Sequence, residues 1–217
     1  MVKKKIKKRV RKFVAKRKQG FSFHNEVDKS WRYLKDSDNY VAVVAGIFIL
    51  FFMFGFIFPY IAPPETLEPI LEEVRKLIED LIKQTEGLGF IGMWEFIFVN
   101  NATIAFIAIF FGFVLAIVPI FLLVSNGLVI GLISSIVTKQ AGFFSLWMLV
   151  PHGIFEIPAI IISFAIGVKF GAFILATDKL KEFKFRFKNS MRVFFFIVLP
   201  LLIFAAIIES ALIVFSS

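Results

Sequence analysis

The sequence predicts an all-α integral membrane protein, with five transmembrane helices plus an extracytoplasmic amphipathic helix. Apolar residues make up 59% of the 217, with 31 phenylalanines and a mean hydropathy of +0.84. That is more apolar surface than one soluble core of this size can hide, so the excess must face lipid. Basic residues crowd the amino end, where 14 of the 25 lysines and arginines precede Tyr40, as in a segment held in the cytoplasm. The chain has no cysteine, which excludes disulfides, thiol chemistry and thiolate metal sites.

Residues 1–39 read as a basic cytoplasmic, juxtamembrane segment that opens with Lys3, Lys4, Lys5, Lys7 and Lys8. Within it Ile6, Val10, Phe13 and Val14 recur at three- and four-residue spacing. The spacing fits a basic amphipathic helix on an anionic leaflet, and a disordered tail that sets topology fits the same composition. Nucleic acid is disfavoured as a partner, because the net charge of +9 is gathered in one tail and not spread over a globular face. The first apolar run starts only at Tyr40 and lacks a small-residue cleavage pattern, so it is expected to be retained.

Residues 40–62 form the first span, about the length that crosses roughly 30 Å of hydrocarbon; Pro63 and Pro64 end it. Residues 63–93 hold the amphipathic helix, Glu65 to Glu86. Its Leu67, Ile70, Leu71, Val74, Leu77, Ile78, Leu81 and Ile82 repeat at three and four. Its seven acids against three bases place it opposite the amino terminus. The membrane surface, the bundle or a second copy could cover the apolar stripe, and a second copy points to a homodimer. Residues 94–217 are a four-helix transmembrane core. Pro119 divides its first long run into span two, from Trp94 to Val118, and span three, from Pro119 to Thr138. Span four runs from Ser145 to Phe170, with Trp147 as interfacial anchor, and Pro151 and Pro158 should kink or locally unwind it. A basic cytoplasmic loop over 171–192, carrying Lys179, Lys181, Lys184, Arg186, Lys188 and Arg192 after Lys169, precedes span five, Val193 to Val214. The protein is thus expected in the cell membrane, multi-pass, with a cytoplasmic amino terminus.

Lipid should reject Asn100, Asn101, Asn126, His152, Glu156 and Glu209, which lie inside the spans. An ionised carboxylate near the bilayer centre costs roughly 2.5 kcal/mol or more, so Glu156 and Glu209 must be protonated, paired or wetted. His152 and Glu156 stand four apart on one helix face. Counting along the spans puts Asn100, His152, Glu156 and Glu209 about 7 to 14 Å from the outer boundary, as one polar layer. Three readings stay open: a hydrogen-bonded core that locks the bundle, a divalent metal site such as zinc at His152, Glu156 and Glu209, and a proton or cation path. Gly127, Gly131 and Ser135, spaced by four on span three, form a small-residue face for close helix packing.

The segment Pro151-His152-Gly153-Ile154-Phe155-Glu156-Ile157-Pro158-Ala159 resembles the signature of the stage II sporulation protein M family. Asn100-Asn101, Asn126-Gly127 and Ile208-Glu209 resemble further pieces of that family, in the same order. The resemblance implies a five-span membrane protein whose Asn100, Asn126, His152, Glu156 and Glu209 belong to one core. In spore-forming bacteria the named member is a membrane platform for two peptidoglycan-degrading partners, while the wider family occurs in organisms that make no spores. The expectation is a membrane scaffold or assembly factor, working with the bilayer and other membrane or extracytoplasmic proteins. The alternatives are a transporter or channel-like protein that uses the cluster as a cation site, and a metal-dependent intramembrane hydrolase.

Overall fold

A computed structural model describes residues 22–142 and 150–216, and gives the helix backbone alone for Ala141, Val150, Pro151, His152 and Ser216. The amphipathic segment expected before residue 22, the start of span four at Ser145, Trp147 and the His152 side chain lie outside the described residues. Eight α-helices follow one another, and no strand occurs among the described residues. A short amphipathic α1 (Phe23–Lys35) leads into the first span, α2 (Asp38–Ile61). The amphipathic α3 (Pro64–Thr85) follows, with Pro64 at its first turn, where a missing N–H costs nothing. The remaining elements are α4 (Phe90–Phe110), α5 (Ile117–Ala141), α6 (Val150–Gly171), α7 (Lys179–Val193) and α8 (Leu199–Ser216). Among the described residues five stretches are long and apolar enough to cross a membrane: α2, α4 with its short 3-10 extension to Phe113, α5, α6 with its extension to Leu175, and α7 with α8.

The basic stretch read as a loop is largely helical, and this is the main departure from the sequence reading. Asp178 caps α7 by accepting from the Lys181 amide at 3.1 Å. From there α7 runs through a π-helical turn, Phe194–Val198, into α8 as one element. The reason lies in the apolar residues between the charges. Phe183 and Phe187 pack on Phe170, and Phe194 packs on Phe106, so one buried face continues across the whole stretch. Spans two and three separate slightly before Pro119, at Leu115 and Ala116, which both adopt left-handed backbone (φ 51° and 59°). Pro119 falls in the first turn of α5, where it displaces no helical bond. Span four does not unwind at its prolines. Pro151 lies in the first turn, and the buried Ala159, Ile160, Ser163 and Phe164 hold the helix beyond Pro158.

The most buried span, α6, packs against α2, α4, α5 and α8. One close pair in the bundle is α2 with α5. A Cβ on Gly127 would press on the Phe48 carbonyl and one on Gly131 would clash with the Phe52 carbonyl. Each four-residue step along α5 therefore meets a four-residue step along α2, so the two helices run parallel. Another close approach seats the left-handed turn on α6, where a Cβ on Gly167 would meet the Ala108 carbonyl and one on Gly112 the Gly167 carbonyl. The α4 and α8 helices are antiparallel, with Phe90 against Phe215 at one end and Phe106 against Phe194 at the other. Outward-facing Val43, Ile49, Leu50, Phe121 and Phe204 stay exposed, as a lipid-facing surface allows.

Candidate functional site

Polar side chains in a membrane bundle have few ways to satisfy their hydrogen bonds, and most here use their own helix. Asn126 donates to the Leu122 carbonyl at 2.8 Å and Ser163 to that of Ala159 at 2.7 Å. Asn126 lies about 22 Å from the carboxyl end of α5, with its amide turned back on the helix. Asn100 is exposed on α4 and donates a long hydrogen bond of 3.4 Å to the side chain of Asn101, which is half-buried. Glu156 is half-buried about 9 Å along α6. Glu209 lies about 10 Å from the end of α8. No hydrogen bond joins Asn100, Asn101, Asn126 and Glu209 into one network among the described side chains. No group of three or more His, Asp or Glu that could hold a metal occurs among the described residues. On α5, Gly127 and Gly131 lie against α2, and Ser135 is fully buried.

Among the described residues, buried side-chain atoms of Tyr33, Trp94, Ser135, Ser190 and Glu209 lack hydrogen-bond partners, and two of these lie on the facing helices α4 and α8. Glu209 Oε2 and Trp94 Nε1 are both buried without a hydrogen bond. Trp94 packs with Met93 and Ile97 around Ala206, one turn below Glu209 on the antiparallel α8. Leaving such a group unsatisfied costs roughly 1–3 kcal/mol, so an acceptor and a donor at matched height mark the chemically unfinished part of the bundle.

The membrane boundaries are held by charges. Pro59 would normally pass its carbonyl to the amide of residue 63, but Pro63 has no N–H. Lys139, from the end of α5, supplies the missing donor at 2.6 Å and sits 4.3 Å over the Tyr60 ring. Lys169 does the same at the other boundary. It donates to the Asp36 carbonyl at 2.8 Å and to Ser37 Oγ at 2.7 Å, and lies 4.1 Å over the Tyr33 ring. Beside it α1 packs on α7. Glu26 accepts from Lys29 at 2.6 Å and from Arg192, and Arg186 donates to Glu182 at 2.9 Å and to the Lys169 carbonyl. The Lys29 hydrogen bond, more than Arg192, holds the Glu26 carboxyl below its ordinary value against the opposing effect of burial. Burial pushes the Tyr33 hydroxyl up to about 12, with the neighbouring Ser190 hydroxyl opposing it. Sequence reasoning missed Lys139, Lys169 and the Glu26–Arg192 pair. The readable signal for Lys139 was a proline four residues after Pro59, which leaves a carbonyl in need of a donor.

The bundle, its paired helices and its polar exceptions agree with one comparison. A family model described as stage II sporulation protein M matches residues 44–212. The chain belongs to the stage II sporulation protein M family. The match runs from the first turns of α2 through most of α8, and so takes in every intramembrane polar residue discussed above. The protein is accordingly a multi-pass membrane protein of that family. No curated protein and no solved structure matches it.

Proposed function

We propose that this family member is a scaffold or assembly factor of the cell membrane, working as a homodimer, with its amino terminus in the cytoplasm and α3 outside. The observation that carries the reading is α3, a 22-residue helix with no buried residue whose apolar stripe ends in exposed Leu77, Leu81 and Ile82. A helix whose apolar stripe is left uncovered at Leu77, Leu81 and Ile82 gains by packing on protein, either a second copy or an extracytoplasmic partner. The excess of Lys and Arg on α1 and α7, against six acids and three bases on α3, supports the orientation. In this reading Asn100, Asn101, Asn126, His152, Glu156 and Glu209 stiffen the bundle so that α3 projects from a fixed base. A Leu77→Glu, Leu81→Glu double variant should abolish dimer cross-linking while the bundle still folds; undiminished cross-linking overturns the reading. Glu156→Ala and Glu209→Ala should each cripple folding or assembly, and wild-type assembly in both would remove the structural role.

The unpartnered Glu209 Oε2 favours a second reading, a proton or divalent-cation path through His152, Glu156 and Glu209. Flux into proteoliposomes that vanishes in Glu209→Gln, or stoichiometric zinc in the purified protein, would replace the scaffold with this one. No flux of protons or zinc would end it.

A further inference from the structure

At its amino-terminal half, α3 stands off the end of α5 instead of packing tightly on it. The gap is a groove of about 250 Å³. Leu67, Leu71, Val74 and Ile78 of α3 form one wall, and Ile133 and Ile136 of α5 the other. The four α3 residues share one helix face and are half-buried, unlike the exposed Leu77 and Leu81 further round the same stripe. Arg75 and Lys139 stand at the rim, and no carboxylate lines the groove. That distribution is selective, because α3 carries acids in excess of bases. The other two cations of α3 are spoken for: Lys76 pairs with Glu72 at 3.0 Å and Lys83 with Asp80 at 3.8 Å. Among the described residues Arg75 has no ion pair. Lys139 gives one N–H to the Pro59 carbonyl, which leaves two.

We infer that the groove binds an anionic phospholipid of the leaflet on the α3 side, with one acyl chain between α3 and α5 and the phosphate between Arg75 and Lys139. Position supports a lipid, since the groove opens where α2 and α5 end, at the level of Tyr60 and Lys139, and so beside the headgroups. Size fits part of a chain. At about 30 Å³ per water-sized unit the groove takes roughly eight methylene-sized groups, part of one acyl chain. Charge chooses the headgroup, because two cations without a lining acid favour phosphate carrying net negative charge over a zwitterion.

This inference does not rest on the scaffold reading. Its test is native mass spectrometry of the full chain, released from nanodiscs that hold equal phosphatidylglycerol and phosphatidylcholine. The wild type should retain phosphatidylglycerol preferentially. Arg75→Gln, at an exposed position, should lower that preference about fivefold, the effect of one interfacial cation. Val74→Phe should fill the groove and lose the lipid while keeping both charges. Dihexanoyl phosphatidylglycerol should compete and glycerol phosphate should not. Equal retention of the two lipids, an unchanged preference in both variants, or competition by glycerol phosphate alone would overturn the proposal, and so would a protein segment cross-linked into the groove in its place.

Discussion

Lys139 shows how a single side chain can complete a backbone that prolines leave open. Pro63 and Pro64 stop α2 abruptly but withdraw the amide that Pro59 needs, and the ammonium of Lys139 takes its place at 2.6 Å. Lys139→Met keeps the aliphatic stem and removes the donor, so it should destabilise the end of the α2–α5 pair by about 1.5–3 kcal/mol, the range for a charged hydrogen bond. Thermal melting in a fixed detergent reads that loss, and Lys139→Arg should recover much of it. In the sequence Lys139 is simply the first charge after an apolar run. What the sequence cannot supply is the neighbour, 80 residues away, whose missing donor gives the lysine its job. The intramembrane polar residues are legible for the opposite reason, since each is an exception in an apolar run. Their directions are not legible. Nothing in the sequence tells that Asn126 bonds back to its own helix while Asn100 faces outward.

At the scale of elements, α1 against α7 is the pair whose strength should follow pH. The Glu26 carboxyl titrates below its ordinary value in the folded protein. Its contribution is therefore present above the unfolded value and lost as pH falls through the lowered one. Tyr33 is displaced the other way, from 10.0 to about 12. Its contribution is complete below 10.0 and disappears as pH rises toward 12. Because Lys29 lies on α1 itself, only the Arg192 share of the Glu26 shift acts between the helices; α1 should stay docked across the neutral range, release as pH rises toward 12 and loosen only slightly in acid, and Glu26→Gln should remove that slight acid limb alone. A spin label at the exposed His24, introduced as the only cysteine, would report release as increased mobility. The α7 helix also shows why charge misleads about secondary structure. Lysines mark it as a loop beside the membrane, yet its phenylalanines keep the phase of the helix that follows, and packing decides the outcome.

For the whole molecule, the number of spans was legible because lipid leaves few alternatives: an apolar run of sufficient length must be a helix that satisfies its own backbone. The arrangement of the spans was not, because lipid-facing and neighbour-facing residues are both apolar. Only small residues, such as Gly131 against α2, hint at who packs on whom. The proposed orientation makes a definite prediction. In this cysteine-free chain, Lys181→Cys should react with an impermeant maleimide only after the cell is opened, and Glu79→Cys should react in intact cells. The reverse pattern would invert the topology.

The parallel pairing of α2 with α5 has a consequence for how the protein is made. Its two halves lie about 80 residues apart in the chain, and at roughly 5–20 residues per second the first must wait about 4–16 s for the second to emerge. During that interval α2 stands in the bilayer without its eventual neighbour, and it is the most apolar of the five spans. Its sequence suits that wait, because a helix that lipid solvates well on every side can tolerate delay. The glycine seam then acts late in biogenesis, drawing together two helices that are each already in place.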